Sequence, residues 1–380
     1  MKICFVANAE SIHTERWVRF FINKGHEVHL ISHKGRKIEG VIFHKLSTIG
    51  NSKITTERIR FVDLLTFCIR AIQTRRIIRK LKPDIVHAHN VILSGFYASI
   101  SKFHPIIITA WGTDVLIAPK VSVLLKKIAK YVLKNADVIT CDGLNTKEAM
   151  VKLDVGADKI KIIYFGIDTK KNNPVQRDAG IRERLNIGNS PMLISLRSFY
   201  PVYNIESLIQ AIPIVLMEVP DARFVLAGTG PEENSLKDLI TLLNIADKVI
   251  FTGSLSGDEI PKYLASADLY VSTSLSDSGL AASTGEAMAC GLSVIVTDVG
   301  GNREWIEEGK GGYIVPVKNP QSLAEKIIFL FKNKDLNKEF GEINRKIIEE
   351  RQDYYKEMEK MEHICSDLIE NETRFQLGNQ

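Results

Sequence analysis

Cysteine is sparse, and none of it stands in a metal-binding or redox spacing. Cys4, Cys68, Cys141, Cys290 and Cys365 are odd in number and scattered over 380 residues, with no CxxC or CxH pattern. This argues against a disulfide framework or a structural zinc site and suits a reducing cytoplasm. Long apolar runs are also missing. No stretch approaches about 18 uninterrupted apolar residues, which argues against a spanning helix. The opening MKICFVANAES turns polar after a short run, too soon for a signal peptide. There is no internal repeat and no low-complexity tract. What is present is a globular composition, 45% hydrophobic and 8% aromatic. Single cores stop growing at roughly 250–300 residues, so the length implies two domains.

The net charge of +5 conceals two unlike halves. Residues 1–170 hold 28 Lys and Arg against 14 Asp and Glu, whereas the remainder holds 22 against 31. Eight of the nine histidines precede residue 105. The halves are therefore expected to meet partners of different charge.

Short β-branched runs alternate with stretches of helical period. Strands are expected at 2–7, 27–31, 41–44, 84–88, 106–110, 137–140 and 161–164, then at 191–196, 223–227, 248–252, 268–272, 293–297 and 312–315. Helical patterns include 15–24, 58–81 and 121–134. This alternation predicts right-handed βαβ units, parallel sheets and an α/β fold of two doubly wound domains. The polar stretch 169–190 reads as the connection. The expected division is 1–172, a linker at 173–190, 191–350, and a C-terminal helix and tail at 351–380 that packs back on the first domain. The charged, helical 337–370 carries periodic Ile347, Ile348, Met358, Met361 and Ile364.

Doubly wound sheets bind ligands beyond the carboxyl ends of their strands. The densest signal there is VSTSLSDSGLAASTGEAMACGLSVIVTDVGGNREW, residues 271–305. A strand runs into a Ser/Asp/Gly loop and then a helix starting near Leu280 or Ala281. Gly279 and the small residues after it let backbone N–H groups approach a ligand, and a helix N-terminus suits a phosphate. Glu286, about two turns in, is placed to accept ribose hydroxyls. The alternative is a small-residue helix packed on the sheet. GTGPEE (228–233) is half a dinucleotide fingerprint, but its third glycine is replaced by Glu233, so it reads as a turn with Pro231 at the first helical position.

The run EAMACG, followed by a strand and TDVGGNREWI, resembles the retaining glycosyltransferases of family 4. KPDIVHAHN (82–90), TAWGTDV (109–115), YFGIDTK (164–170), FVLAGTGPEE (224–233) and the segment 249–274 agree in order and spacing, over nearly the whole chain. The resemblance implies the GT-B architecture, two Rossmann-like domains facing a cleft. It implies a nucleotide-sugar donor, commonly uridine-linked, in the C-terminal domain and an acceptor in the N-terminal domain. It also implies no cofactor and no metal, and no DxD triplet occurs. The implied donor residues are Arg197, Tyr203, Asn204, Gly253, Ser278, Gly279, Leu280, Ala281 and Glu286, with Arg197, Asp277 and Ser278 closest to the chemistry.

The chain departs from the family pattern in three places. Ser278 stands where the family's loop has its first Glu, and Asp277 precedes it. Tyr203 and Asn204 stand where a phosphate-clamp Lys follows Arg197, with Arg303 and Arg16 as possible compensating cations. Trp111 stands where the family has His, leaving His13, His89, Trp111 and Asp114 as acceptor-side candidates.

In the basic half, residues 119–134 place Val121, Leu124, Leu125, Ile128 and Val132 on one stripe and Lys126, Lys127, Lys130 and Lys134 elsewhere. The lysines are a solvated face or a dock for anionic lipid headgroups. No aromatic-interleaved basic platform points to nucleic acid. The expectation is a cytoplasmic retaining glycosyltransferase, peripheral on the inner membrane face, with a saccharide or lipid-linked acceptor in cell-surface polysaccharide, lipopolysaccharide or glycolipid synthesis. A nucleotide-sugar epimerase and a non-catalytic nucleotide-sugar-binding subunit are the alternatives. The sequence fixes no oligomeric state.

Overall fold

The computed structural model describes residues 1–35, 38–48, 61–277 and 279–378. The chain forms two compact units, Met1–Tyr164 with Glu357–Gln380, and Phe165–Lys356.

The first unit holds β1 (Lys2–Val6), β2 (Glu27–Ser32), β3 (Ile42–Lys45), β4 (Ile85–His89), β5 (Ile106–Thr109), β6 (Val138–Cys141) and β7 (Ile160–Ile162). They pair in the order β3-β2-β1-β4-β5-β6-β7, every pair parallel. The second unit holds β8 (Met192–Ser195), β9 (Arg223–Leu226), β10 (Val249–Phe251), β11 (Leu269–Ser272), β12 (Val294–Thr297) and β13 (Gly312–Val315). Their order is β10-β9-β8-β11-β12-β13, again parallel throughout. Strands such as β4 and β8 are buried at every residue because helices cover both faces. In each unit the strand order reverses once, between β1 and β4 and between β8 and β11. Loops leaving these strands open the crevice where such folds take ligands.

The boundary lies at Tyr164/Phe165 rather than at 172. The stretch 173–190 belongs to the second unit instead of linking two. Its short helix Ala179–Arg184 is anchored by Arg182, whose guanidinium bonds Asp268 at 2.6 Å and the carbonyls of Ser266, Gly188 and Ser190. A polar composition conceals this anchoring because the bonds to Ser266 and Asp268 span more than eighty residues.

The charged C-terminal pattern is two helices, Lys334–Arg351 and Tyr354–Gly378. They break where Ile167 pairs with the backbone on both sides of Asp353, N–H to the Gln352 carbonyl at 2.8 Å and carbonyl to the Tyr354 N–H at 3.1 Å. From Glu357 onward the last helix packs on the first unit. Met358, Met361 and Cys365 are fully buried, and Glu362 accepts from His26 Nε2 at 2.7 Å.

Candidate functional site

Arg197 follows β8, beside the reversal of strand order in the second unit. It is 8% exposed. Its Nη2 donates to Asp277 Oδ1 at 2.7 Å, and its Nη1 reaches Ser283 Oγ at 3.4 Å. The guanidinium carbon lies 4.2 Å from the centroid of the Tyr203 ring. Burial alone depresses the charge on Arg197, but Asp277, with Tyr270 and Tyr203, outweighs it and raises the pKa. Ser283 also accepts from the buried Tyr270 hydroxyl at 2.8 Å. A guanidinium is thus held at the start of the helix Ala282–Ala289, where unsatisfied N–H groups add a partial positive charge.

Two glycine pairs set this geometry, and composition alone does not single them out. A Cβ on Gly228 would meet the Arg197 carbonyl at 2.6 Å, and one on Gly230 would meet that of Phe199 at 2.3 Å. The loop after β9 therefore lies directly on the Arg197 segment. Pro231 sits in a turn ahead of the helix Glu233–Leu242 rather than at its first position. A Cβ on Gly300 would meet the Asp277 carbonyl at 2.7 Å, and Gly301 N–H donates to the Gly279 carbonyl at 3.3 Å. The GG of TDVGGNREW thus carries Asp277 and Gly279 on its backbone.

Of the remaining donor-side candidates, Asn204 adopts a left-handed conformation, φ 49°, and its amide reaches Ser207 Oγ at 2.8 Å. Leu280 is buried. Ala281 caps the helix, and Glu286 is half-buried in its second turn. Gly253, φ +70°, opens onto free space. Ser278 lies outside the described residues. Arg303 is committed to Asp298 through two bonds of 2.7 and 2.6 Å.

In the first unit the four acceptor-side candidates come together at the ends of β1, β4 and β5. His13 stacks on Trp111 with centroids 5.0 Å apart, and His89 meets Trp111 edge-on at 5.4 Å. Trp17 and His87 complete the aromatic cluster against His89, at 5.1 and 4.8 Å. Asp114 accepts from the amides of Val91 at 2.7 Å and Trp111 at 3.1 Å, so both its oxygens tie the two loops together. Burial raises its pKa to about 6 against those amides. Burial, with Arg16 adding, lowers His13 to about 4. Burial alone lowers His87 to about 3, and His89 falls well below its usual value through burial and its two histidine neighbours. All three rings are neutral at pH 7.

The basic helix runs Val123–Asn135. Its buried face is Leu125, Ala129, Val132 and Leu133, not the expected stripe. Ser122 is extended and caps the helix, so Val121 belongs to the preceding turn and Leu124 faces outward. Ile117, Val121, Val123 and Leu124 are 41, 64, 74 and 55% exposed. Lys126 and Lys127 are exposed one turn along from Val123, Lys134 is exposed near the helix end, and Lys130 pairs with Asp154 at 2.5 Å. No helix among the described residues is long and apolar enough to cross a membrane.

Two parallel, doubly wound units define the GT-B class. The solved structure of Anabaena Alr3699/HepE in complex with UDP superposes with a TM-score of 0.80 at 19% identity, covering 97% of this chain and all of that one. Sucrose-phosphate synthase from Thermosynechococcus elongatus gives 0.82 at 18%, covering 98% of this chain and all of its own. The chain belongs to the glycosyltransferases: residues 178–347 match the family "Glycosyl transferases group 1", and residues 2–143 match "Glycosyl transferase 4-like". It is 27% identical over 368 residues to N-acetyl-alpha-D-glucosaminyl L-malate synthase of Bacillus anthracis, across 92% of this chain and 91% of that protein. It is 30% identical over 224 residues to spore coat protein SA of Bacillus subtilis, 56% and 59% of the two chains.

Proposed function

We propose that this protein transfers a sugar from a uridine-diphosphate sugar to a hydroxyl of a saccharide or lipid-linked acceptor, with retention, during assembly of a cell-surface polysaccharide, lipopolysaccharide or glycolipid. The observation that carries the reading is the buried Arg197, fixed at a helix N-terminus beside the reversal of strand order. It meets the diphosphate as the bond to the anomeric carbon breaks, together with the N–H groups around Gly279–Ala281. Glu286 holds the ribose and Gly253 lines the base pocket. The UDP bound by the Anabaena protein of the same fold supports the choice of nucleotide.

Asp277 is committed to Arg197 and the three histidines are poor proton acceptors, which favours a same-face substitution. The acceptor oxygen bonds the anomeric carbon, the bond to the diphosphate oxygen breaks, and that phosphate oxygen takes the acceptor proton. No resident metal is needed, since a guanidinium and helix amides meet the developing charge. The reading places the protein in the cytoplasm, docked on the inner membrane face through Lys126, Lys127 and Lys134 and their exposed apolar neighbours.

The test is acceptor-dependent release of nucleoside diphosphate from a panel of nucleotide-sugars, with the product linkage read by NMR. Absence of stabilisation by every donor sinks the reading. One observation favours a non-catalytic donor-binding subunit instead: Arg197 is paired with Asp277, and Tyr203 stands where the resemblance puts a second cation. Donor binding without turnover on any membrane acceptor would establish it.

A further inference from the structure

We propose that Tyr203 is a positioning residue that compensates for the absent second cation by fixing Arg197, without touching the donor. The inference rests on the donor reading of Arg197 but assigns a role that reading does not contain.

Arg197 Nε is buried with no acceptor among the described residues. The side chain is therefore oriented by the Asp277 bond at 2.7 Å, a longer reach to Ser283 Oγ at 3.4 Å and the Tyr203 ring at 4.2 Å. Stacking holds the guanidinium by its flat face and leaves its in-plane N–H donors as the groups a diphosphate oxygen meets. The backbone that carries the ring is held between the two loops that flank the reversal of strand order. Tyr203 ends the turn Pro201–Tyr203, and its carbonyl accepts from Thr273 Oγ1 at 3.0 Å. The Val202 carbonyl accepts from Leu275 N–H at 2.7 Å. The left-handed Asn204 then turns the chain into the helix Ile205–Glu218. A lysine here would bring a second charge on a flexible stem. A tyrosine brings none, but it removes freedom from the cation that remains, so less order has to be imposed when the anion binds.

The experiment measures UDP affinity by calorimetry for Tyr203→Phe, Tyr203→Leu, Arg197→Gln and the double variant Tyr203→Leu/Arg197→Gln, each checked for native melting. Tyr203→Phe should bind within about twofold of wild type, because the ring is kept. Tyr203→Leu should weaken UDP by roughly tenfold, the scale of a desolvated cation–ring contact. In the Arg197→Gln background, Tyr203→Leu should add no further loss. Unchanged affinity in Tyr203→Leu overturns the proposal. Equal losses in Phe and Leu overturn it as well, since the hydroxyl would then be the contact. A full extra loss in the double variant means the ring meets the donor directly. If Arg197→Gln alone binds UDP like wild type, the donor reading itself fails, whatever Tyr203 does.

Discussion

Asp277 closes on Arg197 at 2.7 Å with the two side chains only 14 and 9% exposed. The pair is neutral in a place read as receiving a diphosphate. A carboxylate beside the guanidinium competes with the incoming anion, so Asp277→Asn, which keeps an acceptor but removes the charge, should bind free UDP more tightly. Weaker binding in Asp277→Asn would show that the carboxylate aids the nucleotide rather than opposing it. Arg197→Ala should behave oppositely and also lower the melting temperature, because removing one partner of a buried pair costs about 3–5 kcal/mol. Asp277→Ala added to it should restore part of that loss, measurable by urea unfolding.

Gly300 supports the same loop from below. Its φ is +60°, and a Cβ there would meet the Asp277 carbonyl oxygen at 2.7 Å and carbonyl carbon at 2.9 Å, both backbone atoms. Gly300→Ala should therefore cost about 1–3 kcal/mol through left-handed strain alone. By pushing on the Asp277 backbone it should also misplace the Gly279–Ala281 amides that the donor reading gives to the diphosphate, and so weaken UDP binding. Gly309 has φ +80° and no neighbour within 4 Å, so Gly309→Ala serves as the control with strain but no displacement. Equal donor affinity in the two variants would mean that Gly300 does not position Asp277.

All nine histidines lie in the first unit, and that sets its response to acid. His13 and His33 are lowered to about 4 and His87 to about 3, by burial first and by nearby cations for the first two. Groups with depressed pKa bind protons in the unfolded chain near 6.5 and in the folded chain only below about 4. Their stabilisation is complete above 6.5 and is lost as the pH falls toward 4. Asp114, raised to about 6, works the other way between about 6 and 4, but it is one group against several. At pH 5 the buried His87 withdraws about 2 kcal/mol relative to neutral pH, and His89, lowered by burial and its histidine neighbours, acts in the same direction. Urea unfolding at pH 7 and pH 5 should show the first unit, reported by Trp17 and Trp111 in a Trp305→Phe background, losing stability. The second unit, reported by Trp305, should change less. A pH-independent first-unit midpoint would contradict this.

The thirteen strands among the described residues were legible because each is a short β-branched run bounded by turn residues, and a buried parallel strand needs little else. Arg197, Tyr203 and Asp277 were all named through the family resemblance, with the place of Arg197 after β8 in support. Their mutual contacts were not legible, since Tyr203 and Asp277 are six and eighty residues from Arg197 and no local pattern marks a stack or an ion pair. The glycines of GTG and GG were visible, but only the approach of neighbouring backbone shows why they are required. The segment 173–190 failed for the reverse reason: its polarity suggested solvent, while Arg182 uses that polarity to anchor it. Periodicity misled at Val121 and Leu124 because Ser122 interrupts the helix on which the count depended.

That interruption changes what the basic surface offers to the proposed docking. The expected contact was lysine alone, worth about 1 kcal/mol per charge near an anionic surface and easily screened. The structure adds Val121, Val123 and Leu124, all more than half exposed, within a few residues of Lys126 and Lys127. Apolar side chains inserted among lipid headgroups contribute a term that salt does not screen. Sedimentation with anionic vesicles should therefore fall in two separable steps. Lys126→Glu/Lys127→Glu should abolish the salt-sensitive part, and Val123→Asp/Leu124→Asp should abolish the part that persists in high salt. Lys130→Ala should change little, because Lys130 is already paired with Asp154. UDP affinity should be unaltered in all three. If the aspartate pair sediments like wild type at high salt, the apolar residues are plain solvated surface and the docking claim reduces to charge.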